Sequence, residues 1–108
     1  FAVVAEFPAA TGHPVIGFVL ASKDRAVLGH IITIDIQADF RRQGIGERLM
    51  ELGEQQLAGM GARRVVLEVA IDNEPAIAFY QTRGYATRRT LPRYYRDGTD
   101  AYLMEKAL

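Results

Sequence analysis

The sequence predicts an α/β fold, in which helices cover a mixed, mostly antiparallel sheet. The first observation is that the hydrophobic pattern alternates between strand-like and helix-like segments along the 108 residues. The second is a strand, helix, strand succession that is long enough to join parallel neighbours by a right-handed crossover. A chain of this length fits one domain, and we therefore expect a single domain over residues 1–108.

Short strands are expected at both ends of the chain. Residues 2–7 and 15–22 are apolar runs separated by turn-forming residues at 10–14, which predicts a hairpin. Residues 85–90 and 101–106 predict two further strands, and the proline and the Asp-Gly pair between them are typical of a turn. These connections favour antiparallel neighbours.

The parallel part of the sheet is expected in the middle of the chain. Residues 26–37 form the longest β-rich run and predict a central strand, with a bulge at Gly29. The isoleucines that we place on one face of this strand are Ile32, Ile34 and Ile36. Residues 63–71 are mostly β-branched and apolar and predict the strand beside it, and a helix over about 44–61 joins the two.

The helix at 44–61 has one apolar side and one polar side. The apolar side carries, at roughly helical spacing, Leu49, Met50, Leu52, Leu57 and Met60. The side that we expect to face solvent carries Glu47, Glu51, Glu54, Gln55 and Gln56. Gly59 and Gly61 are its predicted stops. A second helix begins after an Asx cap at 72–73, with Pro75 in its first turn, and ends at Gly84.

Composition excludes several classes of function. Basic and acidic residues balance at 13 each, so a protein that coats nucleic acid or an anionic membrane is not expected. The absence of cysteine excludes disulfides, thiolate zinc sites and cysteine nucleophiles, and it is compatible with a cytoplasmic protein. The histidines, His13 and His30, are too few for a histidine metal site, and we interpret both as structural or surface residues. No apolar run reaches the ~18 residues of a membrane span.

The segment 39–47, between the central strand and its helix, is the strongest candidate for a binding site. The start of a helix offers unsatisfied backbone N–H groups and the positive end of the helix dipole to an anion. Gly44 and Gly46 would let the backbone approach a phosphate closely, and Arg41 and Arg42 add positive charge. The third glycine of a dinucleotide fingerprint is absent. Taken alone, the spacing fits either an anion loop or a solvated basic turn.

Two segments together resemble a known family. The pattern Arg41-x-x-Gly44-x-Gly46 is similar to the acetyl-CoA pyrophosphate loop of the GCN5-related N-acetyltransferases, the GNAT superfamily. Residues 73–80, followed by Gly84-Tyr85, resemble the segment of that family that reads Asn-x-x-Ala-x-x-x-Tyr and then Gly-Phe/Tyr.

The tail narrows the resemblance to one branch of the family. Residues 93–104 are similar to the tail of the RimI-type protein N-terminal acetyltransferases, with paired tyrosines, Asp-Gly and Asp-Ala in that order. The resemblance covers about residues 15–106. The helices that usually precede this region and wall the acceptor groove have no counterpart, which implies an N-terminally truncated domain.

The resemblance implies a role for each matching residue. Those expected to bind acetyl-CoA are the strand residues Ile34, Asp35 and Ile36, the loop residues Arg41, Arg42, Gln43, Gly44, Ile45, Gly46 and Glu47, and the helix residues Asn73 and Tyr80. Glu68 matches a carboxylate that serves as general base, and Tyr80 would donate a proton near the thioester sulfur. Tyr94 and Tyr95 would line the groove that receives a peptide N-terminus. No metal is required.

Each of these side chains also has a simpler explanation. Glu68 could pair with Arg63 or lie exposed at a sheet edge, and packing alone could account for the position of Tyr80. Tyr94 and Tyr95 could be loop aromatics that cover the core.

The function implied by the resemblance is acetyl transfer from acetyl-CoA to a primary amine, with the N-terminal α-amine of a protein, such as a ribosomal protein, as acceptor. The alternatives are a GNAT enzyme that acts on a small amine or a lysine side chain, and a catalytically silent CoA-binding module. An arginine-rich run at 83–96 fits a solvated basic face; an acidic acceptor, RNA or the CoA 3′-phosphate are its alternative partners. We expect a cytoplasmic monomer or homodimer with no direct nucleic-acid or membrane partner.

Overall fold

The described residues form one six-stranded sheet and two α-helices. The computed structural model describes residues 1–6, 12 and 14–108. In chain order, the elements are β1 (Ala2–Glu6), β2 (Val15–Lys23), β3 (Leu28–Ile36), a short 3-10 turn (Ala38–Phe40), α1 (Ile45–Gly59), β4 (Arg64–Ala70), α2 (Glu74–Thr82), β5 (Ala86–Leu91) and β6 (Ala101–Ala107). The strand order across the sheet is β1-β2-β3-β4-β6-β5.

The predicted fold class is confirmed. β3 and β4 are parallel, and every other neighbouring pair in the sheet is antiparallel. The hairpin of β1 and β2 is also confirmed, whereas Phe7 and most of the turn predicted at 10–14 lie outside the described residues. The turn between β5 and β6 forms as predicted, because Asp97 Oδ1 accepts a hydrogen bond from the Thr99 N–H at 2.9 Å.

Two predictions for β3 are wrong. The pairing register with β2 skips Ile32, so the bulge lies there and not at Gly29. A bulge shifts the alternation of side chains by one residue. Ile34 and Ile36 therefore share the core face with Ile31, while Ile32 is 51% exposed on the opposite face.

Helix α1 packs its apolar side against the first three strands of the sheet. Leu49, Met50 and Leu57 are its largest buried apolar side chains. A Cβ on Gly29 would lie 2.9 Å from Leu57 Cδ1, closer than real Cβ contacts allow. The glycine in β3 is therefore explained by the close approach of α1 and not by a bulge.

Two residues of the α1 segment differ from the prediction. Met60, expected in the core, follows the last turn and is 49% exposed. Glu54, expected to face solvent, is only 7% exposed. Among the described residues it is the one charged side chain that is buried. It is buried because Tyr85, Arg83 and Lys106 all donate hydrogen bonds to its carboxylate.

Helix α2 has the predicted start and end. Asn73 Oδ1 accepts a hydrogen bond from the Ala76 N–H at 3.3 Å, which caps the helix, and Pro75 lies in the first turn. The helix ends at Thr82, and Gly84 then adopts a positive φ of 96° that a residue with a side chain rarely tolerates.

The parallel strands β3 and β4 separate soon after they begin. They pair only from Leu28 to His30 on β3 and from Arg64 to Val66 on β4. β3 continues along β2 as far as Ile36, and β4 continues along β6 as far as Ala70. We call the wedge between the two diverging halves the fork. The segments that follow the two strands lead into α1 and α2, so both helices begin near the wide end of the fork.

Candidate active site

A cavity of about 690 Å³ lies at the fork, within the range of about 300–1,000 Å³ that is usual for small-molecule sites. It has three walls. The first wall is the end of β3, with Ile34, Asp35 and Ile36. The second wall is the loop before α1 and the first turn of that helix, with Arg41, Arg42, Gly44, Gly46 and Glu47. The third wall is α2 and its cap, with Asn73, Pro75, Ala76, Phe79 and Tyr80.

The start of α1 turns backbone donors toward this cavity. Gly44 caps the helix in the left-handed conformation, with φ of 80°, and no side chain of the described residues caps the first turn. The N–H groups of that turn are therefore available to an anion, at the positive end of a 15-residue helix. Arg41 Nε donates to the Ile36 carbonyl at 2.9 Å, which ties the loop to the end of β3.

Gly46 lines the cavity and also has a packing role. A Cβ at this position would meet Ile36 Cδ1 at 3.3 Å and the Phe79 ring at 3.5 Å, so it would point toward the apolar floor beneath the cavity. The glycine lets α1, β3 and α2 approach one another. At Gly44 a Cβ would meet no atom within 4 Å, and only the positive φ favours glycine there.

Beyond His30, the edge of β3 that faces the fork is not paired with β4. The Gln37 N–H donates to the Ile16 carbonyl on β2 at 2.8 Å. Because successive residues of a strand point their backbone groups to opposite sides, the N–H groups of Ile34 and Ile36 face the fork. An extended ligand can bind such an edge in the way that an added strand would.

Tyr80 stands on the opposite side of the cavity. Its ring packs edge to face against Phe79 and Tyr85, with centroid distances of 5.5 and 6.0 Å. Burial raises the pKa of the Tyr80 phenol above its usual value, and the nearby Tyr95 adds to the rise. The side chain therefore keeps its proton at neutral pH and is able to donate it.

Glu68 lies on the face of the sheet opposite α1, where its carboxylate meets a histidine. His30 Nε2 and Glu68 Oε1 are 2.7 Å apart, and the Glu68 side chain is 14% exposed. His30 is the last residue of β3 that pairs with β4, and its partner there is Val66. Glu68 lies two positions beyond Val66 on β4. The pair therefore spans the fork at the point where the strands separate. Neither Arg63 nor solvent exposure accounts for Glu68.

The loop between β5 and β6 covers this pair. Tyr94 O–H donates to Glu68 Oε1 at 3.2 Å, and the Tyr94 and Tyr95 rings pack edge to face at 5.0 Å. Partial desolvation, with the Glu68 carboxylate adding to it, raises the pKa of both tyrosines. The loop therefore contacts the fork on the side of the Glu68 carboxylate.

Comparison with known proteins gives the family. The model of the acetyltransferase (GNAT) family matches residues 3–85, more than half of the chain. The chain belongs to the GNAT acetyltransferase family. An uncharacterized N-acetyltransferase of Methanocaldococcus jannaschii is 40% identical over 93 residues, which cover 85% of this chain and 59% of that protein.

Two further GNAT relatives are named N-alpha-acetyltransferases. N-alpha-acetyltransferase 30 of Schizosaccharomyces pombe is 35% identical over 81% of this chain and 61% of its own length. The N-alpha-acetyltransferase of Saccharolobus solfataricus is 37% identical over 74% of this chain and 48% of its own length. This chain thus spans about half to three-fifths of the length of the curated relatives that it matches.

Solved structures agree with the GNAT assignment. Ard1 from Thermoplasma volcanium superposes with a TM-score of 0.83 at 34% identity, over 87% of this chain and 64% of that one. Naa20 of Chaetomium thermophilum, solved in complex with a bisubstrate analogue, superposes with a TM-score of 0.85 at 29% identity, over 97% of this chain and 64% of that one.

The structure brings most of the residues singled out by the GNAT resemblance to the fork. Among the expected acetyl-CoA residues, Gln43 and Ile45 do not line the cavity. The Gln43 side chain turns back to the Asp39 carbonyl, at 3.4 Å, and Ile45 packs against the core. Glu68 is not a lining residue either, because it lies on the other face of the sheet.

Sequence reasoning missed four residues of this GNAT site. Pro75, Ala76 and Phe79 line the cavity beside Tyr80, and their signal was the helical spacing that places them on one side of α2. His30 was interpreted as structural or surface, yet it bonds Glu68. The signal for His30 was that it lies, like Glu68, within a largely apolar strand, and that these two strands were predicted to be neighbours.

The arginine-rich run is not one solvated face. Arg83 forms a partly buried ion pair with Glu54, at 3.2 Å, and Arg88 pairs with Glu105, also at 3.2 Å. The remaining arginines of the run are exposed, namely Arg89, Arg93 and Arg96.

Two further properties concern metals and membranes. Within residues 1–6, 12 and 14–108, no group of three or more His, Asp or Glu side chains is arranged to hold a metal ion. Neither helix of the described chain combines the length and the apolar character that crossing a membrane requires.

Proposed function

We propose that this protein transfers the acetyl group of acetyl-CoA to the N-terminal α-amine of a protein. The observation that carries the proposal is the fork, which joins a cavity with an anion-binding helix start on one side to a carboxylate and histidine pair on the other. Two of the relatives reported above are named N-alpha-acetyltransferases, which supports the same acceptor. The RimI branch remains our interpretation of the tail.

We orient acetyl-CoA in the cavity by the groups that its phosphates and its pantetheine arm would need. We assign its pyrophosphate to the N–H groups at the start of α1, with Arg41 and Arg42 supplying charge. The pantetheine arm would lie along the fork edge of β3, bonded to Ile34 and Ile36. Asn73 uses its Oδ1 to cap α2, so its amide N–H₂ is the group left to hold the cofactor. The thioester then lies beside Tyr80.

The acceptor would enter from the opposite face of the sheet. An α-ammonium group has a reference pKa of about 7.7–8.0, so it must lose a proton before its nitrogen attacks the thioester carbonyl. We assign that proton to Glu68, whose carboxylate His30 holds from one side and Tyr94 from the other. Tyr94 and Tyr95 would line the path of the peptide.

The chemical step forms a C–N bond and breaks a C–S bond. The attacking amine gives a tetrahedral intermediate, and its collapse expels the CoA thiolate. Tyr80 would protonate this thiolate, since its phenol keeps the proton at neutral pH. Holding the amine and the thioester together at the fork supplies the remaining acceleration through proximity. Because free protein N-termini and acetyl-CoA meet in the cytoplasm, we propose that the protein acts there.

A panel of acceptors tests the proposal. CoA release from acetyl-CoA would be measured with short peptides that have free N-termini, with N-terminally blocked lysine peptides and with small amines. We expect turnover with the free N-termini. Turnover restricted to blocked lysine peptides or small amines would move the protein to another acceptor class, and acetyl-CoA binding without any turnover would indicate a silent binding module.

A further inference from the structure

Glu54 of α1 forms a buried ionic cluster away from the cavity. Its carboxylate accepts hydrogen bonds from Lys106 Nζ at 2.7 Å, from Tyr85 O–H at 2.8 Å and from Arg83 Nη2 at 3.2 Å. Lys106 Nζ also lies 5.8 Å from the centre of the Tyr85 ring. Burying a carboxylate is costly unless it is fully paired, so a cluster of this kind has few alternative arrangements.

The donors of this cluster come from the two segments that flank the end of α2. Arg83 and Tyr85 follow its last turn, and Lys106 lies on β6. α2 itself contributes no fully buried residue, only partly buried ones that pack against the core. A helix with so little apolar burial depends on its ends for a defined position. The Asn73 cap anchors the first end, and Glu54 anchors the second.

Tyr80 is connected directly to this second anchor. Its backbone carbonyl accepts hydrogen bonds from the N–H groups of Arg83 and Tyr85, each at 3.0 Å. Its ring packs edge to face against the Tyr85 ring. Arg83 Nε is buried and has no partner within the described residues, so the bond of this guanidinium to the Glu54 carboxylate is made through Nη2.

We propose that Glu54 is a positioning residue for Tyr80: by fixing Arg83 and Tyr85 to α1, it holds the end of α2 and the Tyr80 hydroxyl in place beside the fork. The inference rests on the proposed function, in which Tyr80 protonates the leaving thiolate. Glu54 touches neither substrate, so its effect on turnover must pass through Tyr80.

Two variants and one matched control test the idea. Glu54→Gln removes the charge that holds Arg83 and Lys106, and the milder Tyr85→Phe removes only the hydroxyl bond. We expect each to lower kcat about tenfold, with the KM for acetyl-CoA changed less than about twofold. Glu51→Gln is the control, because Glu51 lies on the same helix in an exposed pair with Arg48. It is expected to leave kcat unchanged.

A second background separates positioning from general destabilisation. In a Tyr80→Phe chain, Glu54→Gln is expected to change kcat less than about twofold, because the group that it positions is gone. An equal loss of kcat in both backgrounds would overturn the proposal.

Amide hydrogen exchange gives a readout that does not require activity. Exchange in residues 79–85 is expected to become faster in Glu54→Gln and Tyr85→Phe but not in Glu51→Gln. Unchanged exchange there overturns the inference. If the unaltered chain transfers no acetyl group, the proposed function fails, and the exchange result alone still decides whether Glu54 holds Tyr80.

Discussion

His30 Nε2 and Glu68 Oε1 lie 2.7 Å apart across two parallel strands, at the position where those strands separate. His30 is the last residue of β3 that pairs with β4. Glu68 is the first ionisable residue of β4 beyond that last pair. Beyond this point the two strands are no longer paired, and the fork opens between them. In the proposed reaction, donor and acceptor would meet at the fork.

Replacing this pair is expected to abolish most of the turnover. Glu68→Gln removes the proton acceptor, and we expect kcat to fall by about 10²–10⁴ while acetyl-CoA affinity stays nearly unchanged. His30→Ala is expected to act on the same step, so the double variant should be no worse than Glu68→Gln alone. Steady-state kinetics and calorimetry measure both quantities.

Glu105→Gln provides the control for that experiment. Glu105 lies on β6 opposite Val66, on the same face of the sheet as Glu68, but its carboxylate binds Arg64 and Arg88. It should leave kcat unchanged. Additive losses from His30→Ala and Glu68→Gln would show that the two residues do not act as a unit.

The Tyr80 phenol determines the alkaline side of the pH profile. An acid works only in its protonated form, and burial raises the pKa of Tyr80 above the usual value of about 10. Turnover is therefore expected to hold up to at least about pH 10, and Tyr80→Phe should lower kcat throughout that range. A decline in kcat centred well below pH 10 that disappears in Tyr80→Phe would contradict the assignment of the pKa.

Substitutions at Gly46 and Gly59, which both lie on α1, are expected to change stability in opposite directions. Gly46→Val would press a branched side chain against Ile36 and Phe79, and we expect a stability loss of about 1–3 kcal/mol together with weaker acetyl-CoA binding. Gly59→Ala meets no atom within 4 Å and should stabilise the helix by up to about 1 kcal/mol. Urea unfolding and calorimetry decide, and unchanged acetyl-CoA affinity in Gly46→Val would refute our description of the cavity floor.

Tyr85 makes the fold sensitive to alkali. Burial, together with the Glu54 carboxylate that accepts its hydrogen bond, raises the pKa of Tyr85 far above its usual value. The folded chain then keeps a proton that the unfolded chain loses above about pH 10, so this contribution to stability is complete below pH 10 and declines as the pH rises further. Tyr85→Phe should weaken this decline in urea titrations.

The matched control for this titration is Tyr102→Phe. Tyr102 lies on β6, and it is not among the residues that donate to the Glu54 carboxylate. This variant is expected to keep the alkaline decline. An identical decline in Tyr85→Phe would show that the hydroxyl bond to Glu54 does not contribute.

Local patterns were sufficient to predict the elements, whereas most of the cavity-wall residues on β3 and α2 were predicted only through the family resemblance. The strands, both helices, the Asn73 cap and the glycine at the start of α1 are all visible as periodicity or as turn and cap chemistry. The failures involve partners far apart in the chain. The bulge at Ile32 depends on the register with β2. Glu54 is buried by hydrogen-bond donors that lie 29 to 52 residues away in the chain. His30 likewise gains its partner only when β3 and β4 align.

The most direct measurement uses one peptide in two forms. A peptide with a free N-terminus and one internal lysine would be incubated with acetyl-CoA beside the same peptide with a blocked N-terminus, and mass spectrometry would locate any added acetyl group. We expect acetylation at the α-amine of the free peptide, none on the blocked peptide, and loss of the reaction in Glu68→Gln. Acetylation of the lysine in both forms, or equal activity in Glu68→Gln, would contradict the central claim.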